Sequence, residues 1–195
     1  MKRHAIALVI HPYKNALLPR ALLARQLNDF AKTVIEAGVS FQNVRFNLAL
    51  PGFFLEILDP LLLLQLREMY KRNQIEWLFT GYTEPFLSFS PPWLLSENFK
   101  YGMQTFSELA GAAPSGLLVP YSNWEPSAID ILRGAGINYC VLSKSSLPPE
   151  YRSYCGYWTT EHMGSAMAFF PSQVVSAIAS ERLLNSLDAD RKRHV

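Results

Sequence analysis

The stretch that decides the fold is residues 74–92, QIEWLFTGYTEPFLSFSPP. Its first part, Ile75–Phe79, is a short apolar run closed by a glycine, which is typical of a parallel-sheet strand covered by helices on both faces. The loop that follows carries Tyr82, Glu84 and Phe86. Because loops at the carboxyl ends of parallel strands build ligand sites, this loop predicts a site for a polar ligand with an apolar face. The alternative is a surface turn with a solvated glutamate.

Similar apolar runs on both sides of this stretch alternate with segments of helical periodicity. The predicted strands are residues 5–11, 44–50, 75–79, 116–119, 139–142 and 166–170. The predicted helices cover residues 19–38, 53–58, 61–72, 96–108, 126–134 and 174–187, and residues 143–165 are predicted to be mostly loop. This alternation, without Asn-Gly hairpin signals, predicts an α/β fold with a parallel sheet, either a β/α barrel or an open doubly wound sheet.

The composition narrows the class of protein. The chain has 195 residues, of which 49% are hydrophobic and 17% charged, so we expect one folded domain over residues 1–195 rather than a disordered chain. The net charge of +2, with no basic stripe before the final RKRHV, predicts no nucleic-acid partner. The apolar runs are too short or too interrupted for a signal peptide or a membrane span, which predicts a soluble cytoplasmic protein. Cys140 and Cys155 are expected to be reduced thiols, with a disulfide as the lesser alternative.

The sequence predicts no metal and no cofactor. Its four histidines show no HxxxH or HxxE spacing, and no CxxC pair is present, so a zinc site is not expected. The sequence contains neither the GxGxxG motif of dinucleotide sites nor the GxxxxGK[ST] motif of nucleoside triphosphate sites. A GxSxG nucleophile elbow is also absent from the sequence.

Polar and aromatic residues lie at, near or just after the predicted strand ends. They are His11, Asn47, Glu84, Tyr121, Asn123, Trp124 and Glu125. In a β/α barrel these side chains converge on one rim, where aromatic rings suit the apolar faces of sugars and planar polar groups suit their hydroxyls. The alternatives are an ordinary solvated barrel mouth and, for His11, a structural histidine.

Five segments, in order, resemble glycoside hydrolase family 57, the retaining enzymes that act on α-glucans. They are ALVIHPYKN, VRFNLALPGFFLEIL, RNQIEWLFTGYTEPFLSFSP, GLLVPYSNWEPSAIDILRGAGINYCVLS and GYWTTEHMGSAMAFFP. The resemblance implies an incomplete (β/α)7-type parallel barrel and an α-glucan or related saccharide as ligand. The substrate-binding residues that it implies are His11, Tyr82, Glu84, Tyr121, Trp124 and Trp158. Trp158 is either a sugar platform or a plug at the barrel rim.

The resemblance also implies a degenerate catalytic site. Trp124 and Pro126 hold the register of the family's fourth-strand motif, and Tyr121 then occupies the position of the nucleophilic glutamate. The family's general-acid aspartate, beyond the sixth strand, has no matching motif in this sequence. Glu84 and Glu125 remain as candidate catalytic residues, although Glu125, just before Pro126, also suits the positive end of a helix dipole.

Three functions follow from these residues. The preferred one is a carbohydrate-binding domain that has lost its catalytic pair. The first alternative is an active glycosidase or glycosyltransferase that uses Glu84 or Glu125, with a partner chain completing the site. The second is a deacetylase-type barrel, which requires a metal site that the spacing does not supply. An incomplete barrel also leaves a sheet edge, so we expect a homodimer, a partner chain or the last helix to cover it.

Overall fold

The computed structural model of the protein describes residues 8–12, 18–143, 147, 149–152 and 157–172. The strands are β1 (Leu8–Ile10), β2 (Phe46–Leu50), β3 (Ile75–Phe79), β4 (Gly116–Leu118), β5 (Tyr139–Ser143), β6 (Trp158–His162) and β7 (Ser165–Ser172). The α-helices are α1 (Arg20–Ser40), α2 (Gly52–Ile57), α3 (Pro60–Lys71), α4 (Pro92–Thr105) and α5 (Ile129–Gly134). A π-helical turn continues α4, and short 3-10 turns lie at Pro120–Ser122, Pro126–Ala128 and Pro149–Tyr151.

The strands form one seven-stranded sheet in the order β1-β2-β3-β4-β5-β7-β6. From β1 to β5, and from β5 to β7, every neighbouring pair is parallel. Helices connect β1 to β2, β2 to β3, β3 to β4 and β4 to β5. The predicted α/β fold with a (β/α)7-type parallel sheet is therefore confirmed. Because these strands are parallel, their carboxyl ends and the loops that follow lie along one edge.

The prediction of six strands, and of loop over residues 143–165, was wrong at β6. This strand pairs antiparallel with β7, with Trp158 opposite Phe169 and His162 opposite Ser165. Met163 and Gly164 turn the chain between them, and both have left-handed backbone angles, with φ of 49° and 85°. Two left-handed residues are what a tight hairpin turn requires, so Met-Gly performs the role for which an Asn-Gly signal was sought.

Side chains alternate between the two faces of the sheet. Leu48, Trp77 and Leu117 point to the face covered by the helices and belong to the main core. Ala49 and Leu78 point to the opposite face and form a smaller buried cluster with Val141. Burial on both faces explains why the strands read as continuous apolar runs.

The helix after β3 begins earlier than the sequence predicted. It starts at Pro92 rather than Ser96, with Pro91 at its N-cap position. Proline is favoured in the first helical turn because its missing N–H has no partner there in any case. The predicted helix over residues 174–187 lies outside the described residues. Among the helices that are described, none has the length and apolar character needed to cross a membrane.

Candidate functional site

The loop that leaves β3 is held against α4 by one glycine and one asparagine. Gly81 has a φ of +96°, and a Cβ atom there would lie 2.6 Å from the side-chain oxygen of Asn98. The backbone N–H of Tyr82 donates a hydrogen bond of 2.9 Å to that same oxygen. Glycine is therefore required both by the backbone angle and by the close approach of α4.

Glu84 lies in this loop in a buried and strained position. Its φ is +55°, in the left-handed region that side chains other than glycine rarely adopt. The residue is only 6% exposed. Non-glycine residues with such angles cost of the order of 1–3 kcal/mol and cluster at functional sites, so the conformation supports a functional reading of Glu84.

His11, directly after β1, contacts Glu84 across the rim. The His11 Nε2 atom lies 3.4 Å from the Glu84 Oε1 atom. On the other side of the ring, Nδ1 is 3.0 Å from the backbone oxygen of Ala49 in β2. The His11 ring thus connects the end of β1 with β2 and with the loop after β3.

The hydrogen bond to Ala49 determines which ring nitrogen of His11 carries a hydrogen. A carbonyl oxygen only accepts, so the His11 Nδ1 atom must carry its hydrogen and donate it. The Nε2 atom then faces the Glu84 carboxyl group, and a favourable contact requires one further proton between the two side chains. That proton and the Nδ1 hydrogen are both engaged within the protein, so the pair meets a polar ligand through the acceptor oxygens of Glu84.

Tyr121 lies on the neighbouring loop, after β4. It and Ser122 have consecutive left-handed angles, with φ of 52° and 55°. The Tyr121 ring stacks on Phe86, with ring centroids 4.5 Å apart and an interplanar angle of 16°. Tyr121 is nevertheless 59% exposed, so the ring remains open to solvent.

The loops after β3 and β4 are linked by Ser88 and Asn123. Both the backbone N–H and the hydroxyl of Ser88 donate to the side-chain oxygen of Asn123, each over 2.9 Å. The side-chain nitrogen of Asn123 donates back to the Ser88 hydroxyl over 2.7 Å. These bonds fix the Phe86 loop relative to the Tyr121 loop.

Two other predicted site residues, Tyr82 and Trp124, contact residues of a neighbouring helix and strand. The Tyr82 hydroxyl donates to the carboxylate of Glu56 in α2, over 3.1 and 3.2 Å to its two oxygens. Burial, followed by this hydrogen bond, raises the pKa of Tyr82. Trp124 packs edge-on against Phe169 of β7, with ring centroids 4.4 Å apart, and borders the main core.

The remaining predicted positions are Glu125 and Trp158. The Glu125 carboxylate accepts from the backbone N–H and the hydroxyl of Ser127, both over 3.3 Å, at the start of the 3-10 turn before α5. This is the helix-end role that Pro126 suggested as the alternative to catalysis. Trp158 begins β6, paired with Phe169.

Sequence reasoning named Phe86 in the loop predicted to form a ligand site, but not among the substrate-binding residues, and it did not select Phe89. Phe89 is 81% exposed and contacts Phe86 edge to face, with centroids 6.3 Å apart. The available signal was two phenylalanines in a proline-bounded loop that also carries Glu84. The contact of His11 with Ala49 could not be found from side-chain patterns, because its acceptor is a backbone oxygen.

The family model of glycosyl hydrolase family 57 matches residues 4–176. The chain belongs to this family. The match includes every strand of the described sheet, and the rim with His11, Glu84 and Tyr121 therefore lies in a family-57 barrel.

Individual relatives of this family-57 chain are longer. Alpha-amylase 1 of Dictyoglomus thermophilum is 29% identical over 135 residues, which cover 66% of this chain and 19% of the amylase. The 4-alpha-glucanotransferase of Thermococcus litoralis superposes with a TM-score of 0.72 at 22% identity, over 86% of this chain and 27% of that one. A branching enzyme of Thermococcus kodakaraensis superposes with a TM-score of 0.66 at 11% identity, over 86% of this chain and 47% of that one. These structural matches establish the fold.

Proposed function

We propose that this family-57 domain binds an α-glucan or a related saccharide at its rim without cleaving it. The main support for this proposal is Tyr121. It stands where the resemblance to the family's fourth-strand motif expects the nucleophilic glutamate, with Trp124 and Pro126 fixing that register. Its ring lies flat on Phe86, an apolar neighbour, rather than against a base.

The chemistry of retaining glycosidases explains why this exchange matters. Such enzymes hold two carboxyl groups roughly 5–5.5 Å apart, one to attack the anomeric carbon and one to protonate the leaving oxygen. A tyrosine can attack only when a neighbouring base removes its proton. The nearest carboxylate in sequence, Glu125, is engaged with Ser127 at a helix end.

The remaining rim suits binding. Glu84, held by His11 at the strand ends, supplies acceptor oxygens to which sugar hydroxyls can donate hydrogen bonds. Exposed rings on the adjoining loops supply apolar surface for the faces of sugar rings. A few fixed polar groups beside aromatic side chains are a usual lining of small-ligand sites.

Calorimetric titration with maltooligosaccharides tests this function. We expect the wild-type protein to bind, and Glu84→Gln and His11→Ala each to weaken binding about tenfold, because the first replaces the carboxyl acceptor and the second removes the ring that holds it in place. The matched control is Glu36→Gln, an exposed carboxylate on α1, which should bind as the wild type does. If the folded wild-type protein binds no maltooligosaccharide, the proposal is wrong.

An active glycosidase that uses Glu84 is the second candidate function. It is favoured by the strained backbone of Glu84 and by the adjacent His11, which together resemble a poised catalytic group. Assays for new reducing ends and for altered chain lengths separate the two functions, because transfer between glucan chains creates no new reducing ends. Turnover in either assay that disappears in Glu84→Gln and persists in Glu36→Gln would establish the enzyme, whereas unchanged substrate with all proteins supports binding alone.

A further inference from the structure

Three large aromatic side chains lie exposed together on the rim loops after β3 and β4. Phe86, Phe89 and Tyr121 are 46%, 81% and 59% exposed. Phe86 forms the middle of the group, since Tyr121 stacks on it at 4.5 Å and Phe89 meets it at 6.3 Å in an edge-to-face contact. We call these three rings the aromatic platform.

The platform is held in place before any ligand arrives. The hydrogen bonds between Ser88 and Asn123 join its two loops. Ser88 lies between Phe86 and Phe89 in sequence, and Asn123 lies two residues after Tyr121. Consecutive left-handed angles at Tyr121 and Ser122 set the direction of the Tyr121 ring. A surface that is already ordered loses less conformational entropy when it binds a ligand.

The position of the platform identifies what it would hold. Phe86 follows the Glu84 site by two residues in the same loop, so the platform adjoins the polar site. One face of Phe86 is covered by the Tyr121 ring, and the outward face of Tyr121 and the ring of Phe89 remain accessible. Flat exposed rings beside a polar site complement a ligand whose successive units each have an apolar face and a hydroxylated edge.

We propose that the aromatic platform is a second subsite, which stacks on one sugar ring of a glucan chain while Glu84 and His11 bind another. The proposal rests on saccharide binding as the proposed function. It adds that affinity increases with chain length, because only a longer chain reaches both groups. It also assigns Tyr121 a role in stacking, in place of the nucleophilic attack expected at its position.

Titration with a short and a long maltooligosaccharide tests the subsite. We expect Phe89→Ala to weaken binding of the long oligosaccharide about tenfold and to leave maltose binding nearly unchanged. Tyr121→Ala, at a predicted substrate-binding position, should also weaken binding of the long oligosaccharide. Phe89→Tyr should retain the affinity because it keeps a flat ring. The matched control is Trp93→Ala, which removes a ring that is 68% exposed on α4, outside the platform. Thermal unfolding of each variant confirms that it is folded.

The outcomes separate this proposal from the one on which it rests. If the wild-type protein binds saccharides and the platform variants bind the long chain equally well, the subsite is wrong and saccharide binding stands. If the wild-type protein binds no saccharide, both are wrong. If Phe89→Ala instead abolishes self-association seen by light scattering, with saccharide affinity unchanged, the platform is a protein-binding surface and the subsite is wrong.

Discussion

The His11 Nε2 atom lies 3.4 Å from the Glu84 Oε1 atom, which joins the end of β1 to the loop after β3. Glu84 is almost fully buried, with a side chain that is 4% exposed, whereas the His11 side chain is 32% exposed. Loss of either partner changes the environment of the other, because a buried carboxyl group depends on its neighbours for compensation.

A double-mutant cycle measures this dependence. We expect His11→Gln and Glu84→Gln to show a coupling free energy of about 1 kcal/mol in urea unfolding, since one side of the pair is shielded from solvent. The control is Lys71 and Glu68, an exposed pair with its charged atoms 2.6 Å apart and side chains 62% and 50% exposed. That pair should give a clearly smaller coupling, because solvent screens both charges. Additive effects at His11 and Glu84 would contradict the interaction.

Strain at Ser122 predicts an unusual stabilising substitution. Its φ of 55° is costly for serine and favourable for glycine, so Ser122→Gly should raise the free energy of unfolding by about 0.5–1 kcal/mol. Ser96→Gly, in the interior of α4, should instead lower it by about 0.5 kcal/mol. Denaturant unfolding compares the two. A loss of stability in both variants would show that Ser122 is not strained.

Because of Tyr139, we expect the free energy of unfolding to decrease at high pH. Burial, followed by a 2.8 Å hydrogen bond to Glu76, raises the pKa of Tyr139 above its ordinary value of 10.0. Since the folded state holds the phenol proton more tightly than the unfolded state, the stabilisation is complete below pH 10.0 and is lost as the pH rises towards the folded-state pKa. Ultraviolet titration of the wild-type protein and of Tyr139→Phe should show that the Tyr139 phenol ionises above its ordinary pKa of 10.0.

The variant Glu76→Gln tests the cause of that shift. Removing the negative charge should lower the pKa of Tyr139 only in part, because burial contributes more than the hydrogen bond. A Tyr139 phenol that ionises at the ordinary pKa of 10.0 in the wild-type protein would contradict its buried placement across Gly116.

We expect the Cys140 thiol to be unreactive in the folded protein. It is fully buried in β5, and burial raises the pKa of the thiol, so little thiolate is available for reaction. Alkylation with iodoacetamide, followed by peptide mass spectrometry, should leave Cys140 unmodified in the native protein and modify it in guanidinium. Rapid native labelling at this position would show that the core around β5 opens readily.

The sequence predicted the parallel strands well and the hairpin poorly. β3 was placed at Ile75–Phe79, where the structure has it, because a run of large apolar residues stopped by Gly81 allows few other interpretations. β6 was missed since its turn uses Met163 and Gly164, and the left-handed angle at Met163 carries no residue signature. The residues of β3 identify it as a strand by themselves, whereas the residues of the turn between β6 and β7 do not signal a hairpin.

The same distinction applies to the site. Glu84 and Glu125 each follow a strand end, and sequence position could not determine that Glu84 contacts His11 while Glu125 bonds Ser127. The aromatic platform depends on the bonds between Ser88 and Asn123, which are separated by 35 residues in the chain. A contact of that separation leaves no pattern in a single sequence.

Titration of the wild-type protein with a long maltooligosaccharide, with heat and reducing ends measured in the same sample, is the most direct test of binding without cleavage. The structure, with Tyr121 stacked on Phe86, predicts a saturable binding heat and no new reducing ends. Absence of binding heat, or production of reducing ends that Glu84→Gln abolishes, would contradict it.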